Sequence, residues 1–132
     1  MENTIFKRED FEELFKLIPQ IKTTKKFGTL KGGEKEEDNT IIVPYYELDT
    51  VVLNFVEIVY KTPIMIKFDW SKWEEGKIII KEKRNFEELD VMTLCKLITA
   101  IVRNDRFCEG VLLKAFENGT ILKILMAIEG KL

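Results

Sequence analysis

The stretch DVMTLCKLITAIVRNDRFCEG, residues 90–110, decides how the chain is read. Val91, Leu94, Cys95, Ile98, Ile101 and Val102 recur at helical spacing. Asp90 stands where a cap belongs, and Arg103 stands where a cation suits the negative end of the helix dipole. Four charged residues, Arg103, Asp105, Arg106 and Glu109, then crowd into the junction before the next apolar pattern begins. Arginine is scarce: of 21 basic residues only four are arginines, and two of those are Arg103 and Arg106. A guanidinium offers a planar fork that grips carboxylate or phosphate bidentately, so the pair marks a fixed polar junction, structural or functional.

Downstream of the junction, Phe107, Val111, Leu112, Ala115 and Phe116 predict a helix over about 106–117. Asn118-Gly119 reads as its C-terminal stop, since glycine reaches the left-handed conformation without steric cost. A last helix over 120–128 is apolar on most sides, and is either wrapped by the domain or exposed as a contact for self-association.

Upstream, Phe11, Leu14, Phe15 and Ile18 predict a helix over 8–18, with acids at its front and Pro19 after it. Residues 20–40 read as a mobile polar loop, with a short strand around 27–30, and residues 41–46 as an edge strand because of Pro44. Asp49 caps a helix carrying Val52, Phe55, Val56 and Val59 that stops before Pro63. Residues 64–68 are too few for a helix and could pair with the 41–46 segment. Ser71-Lys72-Trp73-Glu74 fits a capping box, which starts a helix at Lys72, although Ile78-Ile79-Ile80 would also suit a strand. The expectation is a mainly α, single-domain bundle of about five helices, with a short β ribbon or extended segment in the N-terminal half.

Composition narrows the chemistry. With 132 residues, 45% hydrophobic and 33% charged, the chain is long enough for one core without disulfides or metals. It contains no histidine, which removes histidine-activated nucleophiles and histidine metal sites, and Ser71 is its only serine. Cys95 and Cys108 have no CxxC spacing and read as buried thiols, so no metal and no cofactor is implied. A net charge of −2 disfavours a general attraction to nucleic acid or anionic membrane. No apolar run approaches bilayer length and the N-terminus lacks a secretory pattern, so a cytoplasmic location is expected.

Three places invite a functional reading. In the junction, Arg103 and Arg106 could hold an anion near a helix start, with Gly110 admitting a ligand or a neighbouring backbone. The competing reading is a corner in which the arginines pair with Asp105, Glu109 or a more distant acid. Phe68-Asp69-Trp70 with Trp73 could form an aromatic platform beside a carboxylate, or simply anchor the core. The lysine-rich stretch 22–35 fails as a phosphate loop, because Glu34 stands where the motif needs lysine.

Phe68-Asp69-Trp70 with Trp73, residues 97–103, Asp105-Arg106-Phe107-Cys108-Glu109-Gly110, Ala115-Phe116-Glu117-Asn118-Gly119 and residues 121–125 together resemble a family. It is a widespread family of small prokaryotic proteins classed only as a domain of unknown function. The resemblance covers most of the chain, is strongest over 64–128 and weak before residue 40. It implies one compact domain and carries over no catalytic residue.

The leading expectation for function is a non-enzymatic protein-binding or regulatory module, with a partner or a second copy meeting the apolar C-terminal helix. The alternative is an enzyme or binder of a phosphorylated small molecule or nucleotide. There Arg103 and Arg106 would grip the anion, Trp70 and Trp73 would stack, and Asp69 or Glu109 would move a proton. Nucleic-acid binding through the lysine loop is a weaker third.

Overall fold

A computed structural model describes residues 6–32, 44–82 and 85–132. The chain is mainly helical with one two-stranded ribbon. A 3-10 turn, Arg8–Asp10, leads into α1 (Glu12–Phe15) and α2 (Leu17–Thr23). The ribbon pairs β1 (Gly28–Lys31) antiparallel with β2 (Tyr45–Leu48). Then come α3 (Thr50–Tyr60), a turn at Trp70–Lys72, α4 (Glu74–Glu82), a turn at Phe86–Glu88, and the C-terminal α5 (Val91–Asp105), α6 (Val111–Glu117) and α7 (Thr120–Lys131).

Helix α7 is the centre of the molecule. Ile121, Ile124, Leu125 and Ile128 are fully buried against α1, α2, α5, α6 and the Phe86–Glu88 turn. Burial of a side chain of this size stabilises by about 1.5–3 kcal/mol, so these positions anchor the domain. The apolar sides of α7 therefore face inward, and the large apolar side chain it leaves in solvent is Met126, 45% exposed. Phe116 of α6 sits at an aromatic crossing, edge-on to Phe55 of α3 at 5.2 Å and tilted against Phe27 at 5.4 Å, so the ribbon's lead-in and α3 close the core from the N-terminal side.

Both aspartate caps form. Asp49 accepts from the Val51 N–H at 3.1 Å and Asp90 from the Thr93 N–H at 2.8 Å. Four expectations are corrected. The first helical pattern does not stop at Pro19: α2 runs from Leu17 to Thr23, and Pro19 sits in its first turn, where a missing N–H costs no intrahelical bond. Residues 64–68 form no strand. The ribbon pairs β1 with β2, while the buried Thr99 hydroxyl accepts from the Ile66 N–H at 3.0 Å and lies 3.2 Å from the Ile64 carbonyl. One side chain of α5 thus satisfies backbone that a sheet would otherwise have to satisfy. Ser71 is no capping residue, since its hydroxyl donates to Asp69 Oδ1 at 2.7 Å and α4 starts at Glu74, after Trp73 breaks the turn. The helix expected from Arg106 starts at Val111, because residues 106–110 form the corner. Residues 33–43, which hold much of the expected loop and the start of the expected edge strand, lie outside the described residues.

Ile78-Ile79-Ile80 lies within α4. At about 100° per residue a helix sends three consecutive side chains three ways. Ile79 goes to the core, Ile78 stands 44% exposed, and Ile80 faces the groove described next.

Candidate functional site

The junction closes on itself. Asp105, the last residue of α5, accepts from the Gly110 N–H and the Leu112 N–H, each at 3.1 Å. Two donors at the start of α6, where an anion could have sat, are thus met by the chain's own carboxylate, as the corner reading has it. Gly110 has φ +103°, which only glycine adopts readily, and a side chain there would meet the Tyr46 ring at 3.1 Å. What Gly110 admits is a neighbouring tyrosine. Glu109 accepts from the Tyr46 N–H at 2.9 Å and ties the corner to the ribbon. The Arg103 guanidinium lies 5.7 Å over the Tyr60 ring. Arg106 is exposed and forms no ion pair within 4 Å among the described residues.

Beside the corner, between α4 and α5, the surface opens into a groove of about 860 Å³. Its outer wall is the Trp70–Lys72 turn and α4; its floor and inner wall are α5, α6 and the link into α7. Trp70 is stacked against Phe107 at 6.0 Å, and Trp73 meets Phe68 edge-on at 5.4 Å. Trp73 is fixed by an absence: atoms of its ring lie 2.3–2.7 Å from where a β-carbon of Gly76 would stand. Only a glycine at that position lets the indole lie against the helix. Ile80, Ala100, Ile101, Val111 and Ala115 make the rest of the wall apolar.

The polar side chains of the groove are uneven in sign. Lys77, Lys81 and Lys114 line it together with Asn104 and Asn118, and no aspartate or glutamate does so among the described residues. Lys77 reaches Glu74 at 3.2 Å, an exposed pair that leaves both groups largely in solvent. Lys114 also borders a smaller hollow of about 390 Å³ beside Tyr46, lined by Glu109 and Glu117.

Of the residues singled out in the sequence, Trp70 and Trp73 line the groove. Asp69 stands behind them, accepting from Ser71, while Arg103, Arg106 and Glu109 line none of it. The structure therefore does not gather the two arginines, Asp69 and Glu109 around one cleft, and the cations near the tryptophans are lysines. Lys77 and Lys81, four apart on one helix, were legible as one face once α4 was placed; Lys114 comes from 33 residues further on and was not. The two cysteines also differ. Burial pushes the Cys95 thiol up to about 12, whereas Cys108 is exposed, so the expectation of two buried thiols fails at Cys108, and both are free.

No group of three or more cysteine, aspartate and glutamate side chains is placed to hold a metal ion among the described residues, and no helix there is long and apolar enough to cross a membrane. Comparison with known proteins gives a match to the model of a family of unknown function over residues 6–130. The chain matches no curated protein and no solved structure.

Proposed function

The chain belongs to that family of unknown function, DUF6508, and from this premise we propose that it is a non-enzymatic binding module whose working surface is the groove beneath Trp70 and Trp73. The observation that carries the reading is the groove itself. It has the volume of a small-ligand site, an apolar wall with two indoles, and a few polar side chains converging on it. The non-catalytic part rests on what lines it. Ser71 has no imidazole to activate it, since the chain has no histidine, and its hydroxyl is turned to Asp69. No carboxylate lines the groove among the described residues to serve as a general acid or base.

A neutral ring dye such as Nile red tests the site. Binding to the native chain is expected to give a saturable rise in dye emission, and Ala100→Phe, which projects a ring from the floor into the groove, is expected to abolish it while far-UV circular dichroism stays unchanged. Dye binding that Ala100→Phe leaves intact, or no binding at all, overturns the assignment of the groove.

A protein partner is the second reading, and Phe107 favours it. This side chain is 79% exposed at the groove's edge, where it covers part of Trp70. A contact there would use the rim of the same surface. Self-association through α7 has less to work with, because the apolar residues of that helix are buried in their own domain.

A further inference from the structure

Acidic residues outnumber basic ones in this chain, 23 to 21, yet the groove is lined by three lysines and by no acid among the described residues. That reversal of sign is local, and it coincides with a groove that both tryptophans line. We propose that the occupant of the groove is a small planar aromatic anion: a flat ring packed against Trp70 and Trp73, bearing a phosphate or carboxylate held by Lys81 and Lys114. The inference rests on the groove being the binding surface, and adds what it selects.

The two walls divide the work. Indoles and aliphatic side chains reward the desolvation of a ring and are indifferent to its substituents. Lysines act as point charges on flexible stems, so they favour a phosphate or carboxylate without demanding the two-pronged geometry an arginine would impose. Lys81 and Lys114 come from opposite walls, α4 and α6, and neither forms an ion pair within 4 Å among the described residues. Lys77 contributes less because Glu74 partly offsets it. The glutamates of the adjoining hollow, Glu109 and Glu117, weaken the pull of Lys114, which makes Lys81 the stronger of the two. A nucleic-acid strand fits less well: three lysines are few for a run of phosphates, and the chain as a whole is net negative.

The chain carries its own reporter, since its only two tryptophans both line the groove. Intrinsic fluorescence is followed while the intact chain is titrated with adenosine monophosphate, 1-naphthoate, adenosine, inorganic phosphate and a short oligoadenylate. The expected result is saturable quenching by adenosine monophosphate, by 1-naphthoate or by both, with whichever binds naming the anionic group. Adenosine and inorganic phosphate should bind at least about ten-fold more weakly, because each lacks one half of the recognised pair. Lys81→Glu and Lys114→Glu should each raise the apparent Kd about ten-fold or more, while Lys22→Glu, on α2 and away from the groove, should leave it unchanged.

Quenching by adenosine equal to that by its monophosphate, or quenching insensitive to both groove variants, overturns the anionic half. Quenching by neither ring-bearing anion overturns the whole assignment, and tighter binding of the oligoadenylate overturns the small-molecule occupant. Each of these failures leaves Nile red binding and its loss in Ala100→Phe as they were, so an error in ligand class is separable from an error in the site.

Discussion

The corner at 105–110 and the groove that adjoins it are opposites. The corner holds the most distinctive residues of the chain, and the structure uses them internally: Asp105 meets two backbone N–H groups, Glu109 meets a third, Gly110 makes room for Tyr46 and Arg103 lies over Tyr60. The groove is built from residues that the sequence does not mark as one set, and its lysines, Lys77, Lys81 and Lys114, are exposed. Unusual local sequence here signals a difficult piece of backbone, where charges must be placed to satisfy donors. A surface that meets a ligand needs no local signature, since helices bring its members together from 50 residues of chain.

The contrast breaks most visibly at Asp105. Asp105→Ala removes the acceptor of two partly buried N–H groups and is expected to cost about 2–3 kcal/mol in urea denaturation. A loss below about 0.5 kcal/mol would mean the corner is not held by its carboxylate. Asp90 caps α5, the helix that serves both regions, and Asp90→Ala should cost about 1 kcal/mol at neutral pH. Its hydrogen bonds from the Thr93 side chain and N–H hold the Asp90 carboxyl below its ordinary value of 3.8. The cap's contribution is thus complete above 3.8 and disappears as the pH falls through the lower, folded value. Wild type and Asp90→Ala should converge in stability in that acid range, and a gap that persisted there would refute the charged cap. Arg106→Ala, at an exposed end without an ion pair among the described residues, should change stability by no more than about 0.5 kcal/mol. A loss of roughly 3 kcal/mol would instead place Arg106 in a network and make the corner larger than described.

The helical character, strand tendency near 27–30 and 41–46 and the two aspartate caps were legible because each is set by neighbours in sequence, whereas the pairing of the strands was not. Misreadings arose where a local signal was satisfied from elsewhere. Pro19 looked like a stop because its place in the first turn of α2 depends on Lys16 ending α1. Ser71 and Glu74 had the spacing of a reciprocal cap, but Asp69 competes for the hydroxyl. Residues 64–68 looked like a strand in need of a partner, and the partner of Ile66 is one threonine hydroxyl 33 residues away. For the site, Trp70 and Trp73 could be picked out by residue type. Lys77 and Lys81 share a helix face, but Lys114 could not be joined to them, because the side of α6 that faces α4 is fixed only when both are packed on α5.

Gly76 sets how the groove's outer wall behaves in time. A glycine inside a helix gives up about 1 kcal/mol relative to alanine, and nine residues are too few to hold a helix in isolation. The persistence of α4 rests on Ile79 in the core and on Trp73 laid across that glycine. With Ile79 and the indole as its main anchors, α4 is expected to open at a lower free energy than the domain unfolds, which hydrogen exchange of its amides measures. Entry to the groove is then expected to follow the opening of one short helix, over a floor that α5 and α6 hold in place.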